Sequence, residues 1–296
     1  MKFIEVQNLV KIYENEEYNL TIPALKGINL KVNQGELIGI IGSSGAGKTT
    51  LLSIIGGLLE PTYGTVFVEN KDISKFTKLD LLNYRRETVS FLWQLPEDNL
   101  VKNVSLLRNV MIPLQITNKP LEFQKKIANE MLDKLGLSHR KNHKPNQISG
   151  GEAQRAGLAV ALVNNPKILL GDQITGELDT TTSVEVVNHL KDMKDELGTT
   201  MIIATHKKSF TKITDRNYEI KDGLISHIIS SDDPNKLEEL LKEEYLTIDE
   251  NGNICLPKEI LEQLKINHLL KVEIDNGNIK LIPIQDDKSK EKIKKK

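Results

Sequence analysis

"LIGIIGSSGAGKTTLLSII", residues 37–55, decides the fold. A short apolar run, a glycine-rich turn and an apolar stretch of helical density follow one another without interruption. Within it, "GSSGAGKTT" at 42–50 has the spacing Gly, four residues, Gly, Lys, Thr, the pattern of a phosphate-binding loop. At average residue usage such a match arises by chance in about one chain of this size in a hundred. The flanks are also what the loop requires, a buried strand before it and a helix opening after it. Gly42, Gly45 and Gly47 free the backbone around Ser43, Ser44 and Ala46 to turn N–H groups toward a polyphosphate. The helix N-terminus adds a favourable dipole. Lys48 is then placed to reach the β- and γ-phosphates of a nucleotide, Thr49 to ligate Mg²⁺, and Thr50 completes the loop.

Working outward, two more apolar runs end in a polar group. "KILLGD" closes on Asp172 and "TTMIIATH" on His206. Both runs are short, fully apolar and bounded by polar residues, as strands of a central parallel sheet are. Ligands of such sheets sit outside the carboxyl ends of the strands. Three strands therefore deliver a phosphate loop, a carboxylate that supports Mg²⁺ through water, and a histidine aimed at the γ-phosphate. Through residue 230 the chain alternates apolar runs with helical patterns, the signature of an α/β fold. "INLKVNQGELIGIIG" reads as two strands joined at Asn33-Gln34-Gly35, and 121–142 has helical spacing with one polar face.

Bulk properties bound the function. At 296 residues the chain has room for about two domains. With 39% hydrophobic residues, 27% charged residues and a net charge of −1, it is not a globally basic nucleic-acid binder. The one cysteine, Cys255, excludes an internal disulfide framework and fits a reducing compartment. No apolar stretch approaches the ~20 residues that cross a bilayer, and the start lacks the apolar core of a signal peptide. The expected location is cytoplasmic, with any membrane role exercised through a partner on the inner face of the cell membrane.

"ISGGEAQRAGLAVAL", residues 148–162, places Ser149 three residues before Glu152, a capping-box spacing that opens a helix. This segment resembles the signature of ABC-type ATPases, and its spacing to the phosphate loop and to Asp172 is also that of the family. The resemblance covers nearly all of residues 1–230. It implies a RecA-like parallel-sheet core, an antiparallel β subdomain and a helical subdomain. By the same resemblance Tyr13 stacks on adenine, and Gln94 in "FLWQLPEDN" touches Mg²⁺ and couples to a membrane partner. Leu178-Asp179 match the loop that crosses the dimer interface, and His206 matches the switch histidine. Two chains pair head to tail in this family, so Ser149, Gly150, Gly151 and Glu152 would face the γ-phosphate held by the other chain. The expectation is an ATP-dependent homodimer, or a pair with a close paralogue. "ALKGINLKVNQGELIGIIGSSGAGKTTLLSIIGGLLEPTYGTV" is most similar to the branch that includes lipoprotein-release, macrolide-export (MacB) and cell-division (FtsE) ATPases. Those are subunits that dock on FtsX- or MacB-like permeases.

Gln173 departs from the family pattern, where a glutamate after the strand's aspartate activates the attacking water. A glutamine can hydrogen-bond that water but cannot accept its proton, and general-base catalysis is worth ~10²–10⁴ in rate. ATP binding and dimer closure should survive while turnover falls. Three readings stay open: a deliberate Glu-to-Gln substitution, a natural slow or inactive subunit, or another group serving as base. Gly171 and Ile174 also depart, from the family's usual alanine and proline.

"SSDDPNKLEELLKEE" at 230–244 reads as a turn and a charged helix, with 231–244 as a linker. Residues 245–285 form a small β-rich unit with strong turn signals at Asp-Glu-Asn-Gly and Asp-Asn-Gly. Its order of strand, turn, strand, short helix led by Pro257 and final hairpin resembles the swapped-hairpin domain of AbrB- and SpoVT-type regulators. That resemblance implies dimerisation. Asn253 and Glu262 stand where relatives carry arginine, and residues 245–284 hold four lysines against six acidic residues. Since phosphate contacts supply most non-specific DNA affinity, DNA is not the expected partner. The tail 286–296 is basic and expected to be solvated. Against the first expectation, the ATPase subunit of a membrane ABC complex, stands a soluble, ATP-gated regulatory protein that grips DNA or a protein through the C-terminal dimer.

Overall fold

The structure is a computed structural model that describes residues 2–15, 20–117, 119–176, 178–207, 210, 213–230, 270–275 and 278–283. It begins with an antiparallel pair, β1 (Lys2–Asn15) and β2 (Leu20–Asn33). The turn at 34–36 then hands the chain to β3 (Leu37–Ile41), whose five residues are all buried. The two expected strands are present, but they belong to different sheets. β2 lies at the edge of a four-stranded sheet with β1, β4 (Tyr63–Val68) and β5 (Lys71–Asp72). β3 lies inside a six-stranded one. Glu36 secures the crossing between them. Its carboxylate accepts from the Asn33 backbone N–H and side-chain amide at 2.7 and 2.8 Å and from Arg216 at 2.7 Å.

After β3 come α1 (Lys48–Ile55), α2 (Lys78–Glu87), β6 (Val89–Leu92), α3 (Leu106–Met111), α4 (Leu121–Lys134) and α5 (Gly150–Leu162). They are followed by β7 (Ile168–Asp172), α6 (Thr180–Leu197), β8 (Thr200–Thr205), β9 (Arg216–Lys221) and β10 (Leu224–Ser230). The large sheet has the order β10-β9-β3-β8-β7-β6, parallel except for β10. β8 thus sits between β3 and β7, with Ile41 opposite Thr205 and Asp172 opposite Ala204.

Period-two alternation divides the apolar runs between two cores. Ile38, Ile40, Leu170, Ile202 and Ala204 face α1 and the antiparallel sheet. Leu37, Leu169, Met201 and Ile203 face the helices α3 to α6. Helix α4 is shorter than the 121–142 pattern. It stops at Lys134, and Gly136 takes a left-handed φ of 69° before a single 3₁₀ turn at Ser138–Arg140. A glycine in this conformation just beyond a helix satisfies its last carbonyls and ends it.

The chain separates into two compact units, Met1–Tyr245 and Leu246–Lys296. In the second, β11 (Leu270–Asp275) and β12 (Asn278–Pro283) form an antiparallel hairpin with Asp275 opposite Asn278. The readings of 231–244, Asn253, Pro257, Glu262 and the basic tail lie outside the described residues. Among the described residues, no helix is long and apolar enough to cross a membrane.

Gly39 shows how tightly the sheet is filled. A Cβ there would lie 2.1 Å from Oδ1 of the fully buried Asn217, which accepts from Thr214 Oγ1 at 2.8 Å. Overpacking a closed interior costs about 1–3 kcal/mol, and displacing a buried amide adds its lost hydrogen bond. Gly39→Val should lower unfolding stability by about 3 kcal/mol or more, read from the urea midpoint. An unchanged midpoint would mean that β3 and β9 are not packed as described.

Candidate active site

The phosphate loop is shaped by where its glycines must go. A Cβ on Gly42 would meet Ile220 O at 2.3 Å, and one on Gly47 would meet Ala24 O at 2.5 Å. Gly47 also has φ 106°, and Gly45, with φ 79°, has open space around it. The loop closes with Ala46 N–H donating to Ser43 O at 3.3 Å, and α1 starts with Leu51 N–H on Gly47 O at 2.9 Å. Lys48 is only 4% exposed, and its ammonium donates to Gly42 O at 2.9 Å and Ser43 O at 2.7 Å. Burial pulls its pKa below the usual lysine range, and the nearby Asp172 carboxylate partly opposes that.

The next residue joins two strands. Thr49 Oγ1 donates to Asp172 Oδ2 at 2.5 Å, so the end of β7 is tied to the start of α1. The other carboxylate oxygen, Oδ1, is buried without a hydrogen-bond partner. A buried anionic oxygen left open beside a hydroxyl is the donor set that a hard divalent cation takes. Thr49 and Asp172 therefore fit Mg²⁺.

One residue further, Gln173 adopts φ 48°, unusual for a side chain other than glycine or asparagine. Its backbone N–H is held by Ala204 O at 2.8 Å, and its own carbonyl accepts from Gly176 N–H at 2.8 Å. The side-chain oxygen Oε1 lies 3.0 Å from Nδ1 of His206. Gln94 approaches the same turn, with its Nε2 3.6 Å from the Cβ position of Gly176. Tyr13 sits on the exposed margin, its hydroxyl 3.4 Å from Thr50 Oγ1 and its ring beneath the Lys11 ammonium at 5.5 Å. The structure thus brings Tyr13, residues 42–50, Gln94, Asp172, Gln173 and His206 to one region of the first unit.

The remaining predicted residues form a second cluster. Ser149 caps α5 by accepting from Glu152 N–H at 3.2 Å, and the Glu152 carboxylate accepts from Ser149 N–H at 2.9 Å. The expected capping box is present. Together with the Arg140 guanidinium at 2.9 Å, these bonds overcome the burial that would raise it and hold the Glu152 pKa down to about 2, the backbone bond from Ser149 contributing most. Gly151 lets α6 in close, since a Cβ there would lie 2.2 Å from Thr182 Cγ2. Gly150 and Ser149 are exposed. Asp179 caps α6, accepting from Thr182 N–H at 3.0 Å and Thr182 Oγ1 at 2.7 Å.

Three supporting residues escaped sequence reasoning. Asn99 brackets Gln94: it accepts from Trp93 N–H at 2.8 Å and donates to Trp93 O and Leu95 O at 3.0 and 3.1 Å. The asparagine after "LPED" was the available signal, because such a side chain readily bonds neighbouring backbone. Arg140 reaches Glu152 across twelve residues with no local pattern, and Lys207 binds the backbone of 175 and 178. The two odd residues beside Gln173 have a shared cause. A methyl group on Gly171 would lie 2.6 Å from Ile203 Cδ1 and 3.0 Å from Cγ2 of the buried Ile174. Isoleucine at 174 and the absence of a side chain at 171 are one packing solution.

A parallel sheet with this loop, carboxylate and histidine at its strand ends defines the class as a phosphate-loop nucleotide-binding protein. Comparison with known proteins narrows the class. The family model "ABC transporter" matches residues 25–176, about half the chain. The lipoprotein-releasing system ATP-binding protein LolD of Bacteroides thetaiotaomicron is 40% identical over 205 residues, covering 69% of this chain and 93% of that protein. The macrolide export ATP-binding/permease protein MacB of Rhodopirellula baltica is 38% identical over 225 residues, covering 75% of this chain but 32% of that longer protein. Among solved structures, the dimeric post-hydrolysis state of the ATP-binding cassette MJ0796, bound to ADP and Pi, matches with a TM-score of 0.70. It is 35% identical and covers 77% of this chain and 98% of its own. The chain belongs to the ABC transporter family, as an ATP-binding, ATP-hydrolysing member close to LolD- and MacB-type subunits.

This geometry makes the loop's glycines unequal. Gly45→Ala should cost about 1–2 kcal/mol for a left-handed alanine and weaken nucleotide binding less than a change at Gly47. Gly47→Ala, which strikes the Ala24 carbonyl as well, should abolish binding. Equal binding by both variants in a fluorescent-nucleotide titration would contradict the loop's packing. For Glu152, a folded pKa below the unfolded value means its contribution to stability is present above pH 4.5 and lost as pH falls toward 2. A carboxyl-carbon NMR titration should place its midpoint near 2; a midpoint in the ordinary glutamate range would show that the capping box does not persist in solution.

Proposed function

We propose that this chain is the ATPase subunit of a membrane complex. Two copies, or this chain and a close paralogue, would close on Mg·ATP and pass that motion to a permease of the FtsX or MacB kind. The observation that carries the reading is the line Thr49–Asp172–Gln173–His206, in which a cation-ready oxygen pair adjoins a polar pair at hydrogen-bond distance. Mg²⁺, held by Thr49 and Asp172, would supply charge neutralisation on the nucleotide's phosphates. Lys48 adds a fixed positive charge there, and Tyr13 offers a ring face to the base. Ser149, Gly150, Gly151 and Glu152 meet the nucleotide held by the partner copy, and Asp179 lies at the boundary between copies. The similarity to a cassette whose structure is dimeric supports the pairing, and the names of LolD and MacB support a membrane partner. Gln94, bracketed by Asn99 and near Gly176, would couple the cation site to that partner.

Gln173 holds the position of the water-activating base. Its Oε1 is within reach of His206, and an amide there could hydrogen-bond a water but could not accept its proton. This chain should form the ATP-bound pair and release it slowly, whether Gln173 arose by descent or by substitution. The C-terminal unit would add a second dimer contact of the AbrB kind, a reading supported by the β11–β12 hairpin.

The test compares this chain with Gln173→Glu. The glutamate variant should hydrolyse ATP ~10²–10⁴ times faster, while the present chain accumulates an ATP-dependent dimer by light scattering. Equal rates would remove position 173 from the chemistry. A monomer in saturating Mg·ATP would remove the pairing.

A further inference from the structure

Lys207 directly follows His206, and its side chain reaches the segment that follows Gln173. The ammonium donates to Thr175 O at 2.5 Å, Leu178 O at 3.2 Å and Ser183 Oγ at 3.2 Å. An ammonium has three protons, so every donor is used. Its own backbone N–H donates to Thr205 Oγ1 at 3.1 Å, which pins the residue to the end of β8. Ser183 Oγ also donates to Leu178 O at 3.3 Å, closing the network over the first turn of α6.

The position of this network matters more than its size. One end belongs to the cluster of Asp172, Gln173 and His206; the other belongs to the cluster of Leu178, Asp179 and Thr182, against which Gly150 and Gly151 pack. The turn between the clusters holds Gln173 at an uncommon φ. Such a turn persists only where its surroundings over-determine it. A point charge on two of its carbonyls does that, and charge-assisted bonds are the stronger kind.

We propose that Lys207 is a positioning residue: its ammonium bolts segment 175–183 to the His206 loop, so that the Gln173–His206 pair and the Asp179 cap keep one mutual geometry. The ammonium's bonds go to Thr175, Leu178 and Ser183, none of them in the phosphate loop or the Thr49–Asp172 pair. A change at His206 on nucleotide binding is thereby carried to Asp179, and a partner copy seated at Asp179 restrains His206. This second, functional half rests on the ATP-dependent pairing proposed above.

The experiment uses the full chain, with Lys207→Gln and Lys207→Arg. Amide hydrogen exchange in the nucleotide-free protein reads the local half. In Lys207→Gln, exchange at 176–183 should quicken at least tenfold, with Lys207→Arg closer to the parent. The functional half is read by two affinities. Binding of a fluorescent ADP should stay within about twofold, because Lys48 and the phosphate loop are untouched. The dimer dissociation constant in Mg·ATP, by sedimentation velocity, should rise at least tenfold and be partly restored by arginine. Unchanged exchange overturns the proposal outright. Quickened exchange with an unchanged dimer constant overturns the coupling and leaves Lys207 a stabilising residue only. If the parent chain stays monomeric in Mg·ATP, the pairing reading fails, and the exchange data still decide the bolt.

Discussion

A positive charge held almost out of water must be surrounded by acceptors, and Lys48 sets that demand at the centre of this protein. Its ammonium, 4% exposed, takes the carbonyls of Gly42 and Ser43. Those carbonyls then point toward the lysine, and the loop can turn that tightly only because Gly42 and Gly47 press against the carbonyls of Ile220 and Ala24. The loop is therefore fastened on both sides, to β9 and to β2. Asp172 completes the arrangement as the nearby anion, and Thr49 links it to α1 at 2.5 Å. Lys48 and Thr49 thus connect the loop after β3, the start of α1 and the end of β7.

The sheet order makes that relation possible. β8 lies between β3 and β7, so the phosphate loop, His206 and Asp172 leave neighbouring strands spaced about 4.8 Å apart. The helical layer contributes from the other core. α5 presents the Ser149 cap, and α6 presents the Asp179 cap. Gly151 permits their close contact with a Cβ position only 2.2 Å from Thr182. Lys207 spans the gap between these two groups with three hydrogen bonds.

Much of this was legible in the amino-acid order because it rests on local rules. The loop at 42–50 is a contiguous pattern with the strand and helix it needs on either side. The runs before Asp172 and His206 are continuous because both faces of their strands are covered, and the Ser149–Glu152 box is a three-residue spacing. Gln173 was identifiable as the one departure with a chemical consequence. Sequence periodicity overran the end of α4, since Gly136 ends the helix by a single backbone angle inside an otherwise helical pattern.

Tertiary structure alone decided the rest. β2 and β3, adjacent in sequence, part into different sheets, and at the crossing Glu36 meets Arg216, 180 residues away. Glu152 owes part of its depressed pKa to Arg140, and Gly171 is explained only by Ile174 and Ile203 filling the space that its side chain would occupy. The role of Lys207 is set only by Thr175, Leu178 and Ser183, which lie 24 to 32 residues before it in the chain. Sequence by itself determines the features set by neighbours along the chain: periodicity, caps and the phosphate loop. Contacts between residues distant in the chain obey packing and charge satisfaction, which exist only once the two cores have closed on the sheet.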